Sequence, residues 1–173
     1  MLTQEKIGCK IIVVSLMRVL IISDSHGDTK RFDKAITAFE PDMIIHLGDI
    51  ERDVEYLADV YPHIPLHAVV GNNDPLCRRA ADKVIEIEGI KIFMTHGHLY
   101  GVWDQGFRVA QHAEALGCSI ALFGHSHVPV NEVFGNVRAF NPGSISRPRV
   151  GEYSVGIMEI ENGEAHFVHC DWL

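Results

Sequence analysis

Three carboxylates, two side-chain amides and five imidazoles stand in five short polar clusters: Asp24-Ser25-His26, Gly48-Asp49, Gly71-Asn72-Asn73-Asp74, Thr95-His96-Gly97-His98 and Gly124-His125-Ser126-His127. Asp24, His26, Asp49, Asn72, His96, His125 and His127 together form a mixed nitrogen and oxygen donor set, which suits Mn, Ni, Co, Fe or Zn better than Mg or Ca alone. One ion uses roughly four to six donors, so this set points to two divalent ions sharing a carboxylate, and Asp49 is the natural bridge. Singly the clusters are weak signals, because Asp, Asn and Gly punctuate strand ends as turn formers. GHSH is the strongest of them, since two imidazoles straight after an apolar run expose bulky polar groups for little structural gain. Their convergence carries the reading.

Each cluster follows an apolar, β-branched run: Val19–Ser23, Met43–Leu47, Leu66–Val70, Ile90–Thr95 and Ser119–Phe123 read as buried strands. Between the first two, Phe32, Ala35, Ile36 and Phe39 fall at helical spacing over Arg31–Glu40, closed by Pro41. A second helix places Val54, Leu57, Ala58 and Tyr61 on one face. A third, after Asp104, places Phe107, Ala110, Ala113 and Leu116 likewise and ends at Gly117. Later turns at Gly89, Gly135-Asn136 and Asn162-Gly163 predict antiparallel hairpins. The expected class is α/β, a two-layer or sandwich architecture with mixed sheets flanked by helices. In such sheets the loops after the strands converge on one crevice, so clusters about a hundred residues apart can share a site.

A length of 173 residues with 47% apolar composition supports one substantial core, so residues 17–173 are expected to form a single domain. A formal net charge of −8 repels polyanions and argues against a nucleic-acid polymer as partner. Cys9, Cys77, Cys118 and Cys170 are widely spaced, form no CxxC pair and read as reduced thiols. The apolar stretch from Ile7 to Ser23 is interrupted by Lys10 and Arg18 and lacks a small-residue cleavage site, so a cytoplasmic protein without a membrane span is expected. Residues 1–16 precede a clean strand start at Met17 and read as an extension: an upstream start, an amphipathic arm or an extra edge strand. An exposed hairpin edge is a candidate surface for a homodimer.

DSHG, GD, GNND, THGH and GHSH, in that order from Asp24 to His127, resemble the signature of the calcineurin-like metallophosphoesterase superfamily. The likeness is greatest to its small prokaryotic phosphodiesterase branch, whose members also carry an NPGS, here Asn141–Ser144. The resemblance implies that Asp24, His26 and His127 bind one metal ion, Asn72, His96 and His125 a second, and that Asp49 bridges. It implies a hydroxide held between two ions attacking phosphorus in line. The substrate would then be a small phosphoester, a phosphodiester first and a monoester second.

The sequence departs from the phosphoprotein-phosphatase branch at Asn73, where that branch has a histidine assisting the leaving group. Asn73 cannot titrate, so protonation would fall to His98, to Asp74 or to neither, favouring alcohols that leave readily. His46, inside its strand, reads as a satisfied core histidine, and His63, His67, His112, His166 and His169 as structural or solvent-facing. Arg78, Arg79, Arg147 and Arg149 could meet substrate phosphate, although solvation is the default for them. Trp103 could line a pocket, while Phe107 is expected in the core. A non-catalytic binding scaffold of the same fold, as in the retromer subunit that this fold resembles, is the alternative function. A nuclease ranks last, because the chain is acidic.

Overall fold

The structure, a computed structural model, describes residues 16–171; the extension expected at 1–16 lies, apart from Leu16, outside the described residues, as does Cys9. Among the described residues, ten strands form two five-stranded sheets. The first holds β1 (Met17–Ile22), β2 (Met43–His46), β3 (Leu66–Ala68), β9 (Ser154–Glu161) and β10 (Glu164–Asp171), in the order β10-β9-β1-β2-β3. The second holds β4 (Asp82–Ile87), β5 (Ile90–Thr95), β6 (Ile120–Leu122), β7 (Val130–Phe134) and β8 (Val137–Asn141), in the order β4-β5-β6-β8-β7.

Strands of alternating burial choose their faces residue by residue. Val19 and Ile21 of β1, Ile45 of β2, Ile92 and Met94 of β5, Ile120 and Leu122 of β6 and Phe140 of β8 meet between the sheets. Their neighbours Leu20, Ile22 and Ile44 turn outward to Phe32, Ala35 and Ile36 of α1 (Thr29–Phe39) and Leu57 of α2 (Glu51–Val60). Phe93, Ala121 and Ala139 turn outward to Val109, Ala110 and Ala113 of α3 (Phe107–Ala115). The result is a sandwich of two mixed sheets with helices on both outer surfaces, as the patterning predicts, and all three expected hairpins are present.

Two helical faces differ from expectation. In α2 the buried residues are Asp53, Val54 and Leu57, while Ala58 faces solvent. In α3 Val109 takes the core place expected of Phe107, which is 43% exposed and packs edge-to-face on Phe134. A helix rotated by one position still satisfies most of an i, i+3, i+4 pattern, and the sheet beneath decides the phase. Cys77, Cys118 and Cys170 are unbonded thiols. No described helix is long and apolar enough to cross a membrane.

The parallel pairings position the site. β1, β2 and β3 run parallel in one sheet, and β5, β6 and β8 in the other. Each therefore delivers the segment that follows it to the same side of its own sheet.

Candidate metal centre

Ser23 to His26 follow β1, Gly48-Asp49 follow β2, Asn72 follows β3, His96 follows β5 and His125 to His127 follow β6. Asp24, His26, Asp49, Asn72, His125 and His127 line one cleft of about 230 Å³, together with Asn73, Arg147 and Arg149. His96 lies fully buried at its floor, with Nε2 3.6 Å from Asp49 Oδ1 and 3.2 Å from Asn72 Oδ1. His26 Nδ1 approaches Asp49 Oδ2 to 3.2 Å, and the His96 and His125 rings lie 5.1 Å apart. The structure thus brings all seven expected ligands to one place.

Close backbone approach makes this convergence feasible. A Cβ on Gly124 would stand 1.8 Å from Ser23 Oγ, and one on Gly71 2.6 Å from Asp49 Cα, so only glycine lets these loops touch. Asp24, His26, Asp49, His125 and His127 all adopt positive φ, between 46° and 106°. Non-glycine residues enter that region at a cost of about 1–3 kcal/mol each when the surroundings over-determine them, a pattern concentrated at functional sites.

Hydrogen bonds fix which atoms face the cleft. His96 Nδ1 donates to the Leu47 carbonyl at 2.8 Å and His127 Nδ1 to the Arg147 carbonyl at 2.6 Å. With Nδ1–H committed to a carbonyl, each ring turns Nε2 inward. His127 Nε2 meets Asp24 Oδ1 at 3.2 Å. A cation lies between the two, either the proton of a charged His127 or a metal ion in its place. His26 Nε2 is moreover buried without any hydrogen-bond partner. Asp24, His26 and His127 each offer a donor atom within 4.8 Å of the others, the spacing of a shared ion. These residues fit a divalent metal.

Electrostatics set His127 apart from His26 and His125. Burial works against ionisation of Asp24, but its hydrogen bond to His127, the charges of His96 and His127 and the Ser23 hydroxyl together hold its carboxyl below the usual range. Burial pushes His26 and His125 down, keeping them neutral and able to ligate, while the Asp24 hydrogen bond raises His127. Asp24 is held further by Ser23 Oγ and the His125 amide on Oδ2, and its carbonyl accepts from Ser144 and Ser146.

Behind the ligands runs a buried relay that the sequence did not reveal. The Gly48 amide donates to His46 Nδ1 at 3.2 Å, leaving Nε2–H to meet Ser25 Oγ at 3.1 Å. Ser25 in turn donates to Asp53 Oδ2 at 2.6 Å, which also accepts from the Gly27 amide. The relay ties the Asp24–His26 loop to the Gly48-Asp49 loop. Its readable signal was Asp53, an acid four residues before Leu57 on the apolar face of α2.

The three candidate catalytic residues Asn73, Asp74 and His98 are placed differently. Asn73 Nδ2 donates to both Asp49 oxygens at 2.8 Å. Asp74 accepts from the Glu51 amide at 2.7 Å and the Gly71 amide at 3.0 Å, and does not line the cleft. The His98 ring lies 5.5 Å from that of His96 and 6.2 Å from that of His125, with Nδ1 buried and unpartnered. Arg79 is taken up by Glu51.

The calcineurin-like phosphoesterase superfamily domain matches residues 17–163. The chain is 37% identical over 153 residues to the probable metallophosphoesterase YsnB of Bacillus subtilis, covering 86% of this chain and 88% of that protein. It is 38% identical over 163 residues to the phosphodiesterase YfcE of Escherichia coli K12, covering 79% and 83%. Among solved structures, a predicted phosphoesterase from Streptococcus pneumoniae TIGR4 superposes with a TM-score of 0.74 at 28% identity, covering 91% of this chain and 90% of that one. Vacuolar protein sorting 29 of Cryptosporidium parvum shares the fold, with a TM-score of 0.71 at 18% identity over 91% and 98%. A donor set that fits a divalent cation and a family profile spanning both sheets lead to one statement: this chain belongs to the calcineurin-like phosphoesterase superfamily.

Proposed function

We propose that the chain is a phosphodiesterase with a two-ion centre, in which Asp24, His26 and His127 hold one ion, Asn72, His96 and His125 the other, and Asp49 both. The observation that carries this reading is the grouping of Asp24, His26 and His127, each with a donor atom within 4.8 Å of the others, beside a buried His26 Nε2 that has no partner. When bound, such ions lower the pKa of water and neutralise charge on phosphoryl oxygens. The chain's own residues do the rest. The Leu47 and Arg147 carbonyls lock two imidazoles in the ligating tautomer. Asn73 orients the Asp49 carboxylate through both oxygens.

Leaving-group protonation has little support. Both Asp74 oxygens are committed to backbone amides, and burial and the neighbouring His96 hold His98 below the usual histidine range, neutral at pH 7. Substrates whose alcohol departs without a proton, such as aryl esters, are therefore favoured. The test is hydrolysis of bis(4-nitrophenyl) phosphate by Mn- or Ni-loaded protein, with metal analysis giving near two ions per chain. Two bound ions without turnover of any phosphoester would instead favour a binding scaffold.

A further inference from the structure

Arg147 and Arg149 bring two positive charges to the rim of the cleft in a chain whose net charge is −8. Arg18, Arg31, Arg79 and Arg108 each sit on a carboxylate. Among the described residues neither the Arg147 nor the Arg149 guanidinium has an ion-pair or hydrogen-bond partner. Their main chain is nevertheless pinned to a ligand: the Arg147 carbonyl accepts from His127 Nδ1, and the Arg149 amide donates to the His127 carbonyl at 3.2 Å. The Arg147 amide also donates to Ser144 Oγ at 2.8 Å. The backbone that carries the two side chains is thus held in place relative to the candidate ligand His127.

Opposite them stands Trp103, 61% exposed, its ring 6.2 Å from that of His125. It belongs to the short helical turn Val102–Asp104, whose Val102 is buried and meets Gly97 where any Cβ would clash. With Val102 pinned inward, the next side chain is presented outward. The Arg149 guanidinium lies over the indole face, 4.9 Å from its centroid. An indole left open to water, with a guanidinium on it and a histidine ligand beside it, contributes little to folding and makes a flat surface for another ring.

We propose that Trp103, Arg149 and Arg147 form a subsite for a planar aromatic substituent of the phosphoester, an aryl ring or a nucleobase, which packs on the indole and guanidinium pair while Arg147 meets the phosphoryl oxygens. The subsite rests on the phosphodiesterase reading and supplies its specificity. It accords with a site poor in proton donors, because aryl alcohols leave readily.

The experiment measures binding of phenylphosphonate and methylphosphonate to the Mn-loaded full chain by calorimetry, beside hydrolysis of bis(4-nitrophenyl) phosphate. Wild type should bind phenylphosphonate roughly tenfold more tightly than methylphosphonate, from the range of single ring-stacking contacts. Trp103→Leu should bring the two within about twofold, Trp103→Phe should restore most of the preference, and Arg149→Met should reduce it. Arg147→Gln should weaken both phosphonates alike. Adenosine 5′-monophosphate against ribose 5-phosphate separates the sources: a tenfold preference assigns a nucleobase, and none assigns a simple aryl ring. A phenyl preference unchanged in Trp103→Leu, with the wild type active, overturns the subsite and leaves the phosphodiesterase reading standing. An inactive wild type that retains a Trp103-dependent preference overturns that reading and keeps the subsite.

Discussion

The two halves of the proposed centre are built differently. Asp24, His26 and His127 sit on buried or half-buried backbone, and Asp24 alone receives bonds from Ser23, Ser144, Ser146 and the His125 amide. In the second, His96 is fully buried, but Asn72 stands exposed on the loop after β3, and among the described residues its side-chain polar contacts are to His96 and Asn73. A site whose ligands are held before the ion arrives loses less freedom on binding. The first half should therefore bind its ion first and more tightly, and the second should be the adjustable one.

The largest expected effect breaks the distinction at its shared member. Asp49→Ala removes a ligand from both halves and should lower kcat/KM for an aryl phosphodiester by about a thousandfold, equivalent to several kcal/mol of transition-state stabilisation. Steady-state assays at saturating Mn check it, and activity within tenfold of wild type would sink the bridging role.

Acid should attack the buried half next. Burial lowers His46 from 6.5 to about 4, so below pH 6.5 the unfolded chain binds a proton that the folded chain refuses. Stability therefore falls as the pH drops from 6.5 to 4, by about 3 kcal/mol from this residue when complete. Denaturant melts of metal-free wild type and His46→Asn across that window should show the shallower slope in the variant. Parallel slopes would contradict the assignment.

Ser25→Ala cuts the relay while leaving every ligand in place. Affinity for the first ion should weaken about 10–100-fold, as at other orienting positions behind metal ligands, with the second equivalent less affected. Calorimetric titration with Mn resolves the two, and an equal loss in both halves would erase the contrast. The smallest effect belongs to the exposed loop: Asn73→Ala should cost about 1–2 kcal/mol of stability, because it removes the donor that serves both oxygens of the buried Asp49. A cooperative unfolding curve of the metal-free protein tests that.

These contrasts also mark what was legible in the chain. Strand positions followed from apolar runs ended by Gly, Asp or Asn, because strands packed on one face by the other sheet and on the other by helices read as continuous apolar runs. The candidate ligands stood out as polar clusters where those runs stop. Asp53 escaped because, read alone, an acid in the first turn of a helix is an ordinary surface residue. Phe107 misled because helical spacing gives a face without its absolute phase. Asp74 looked catalytic by proximity in sequence, yet its oxygens close the Gly71 turn and meet the first amide of α2. Orientation of this kind depends on partners tens of residues away, and no local pattern encodes it.

The positive φ of five ligands has an evolutionary corollary. Holding Asp49 at a φ of 106° costs conformational energy that a glycine there would not incur. A lineage relieved of selection for catalysis could exchange such residues one at a time and gain stability with each loss, since function here opposes folding. Catalysis in this sandwich would thus be easy to lose and hard to regain, and the scaffold left behind would be sturdier than its active ancestor.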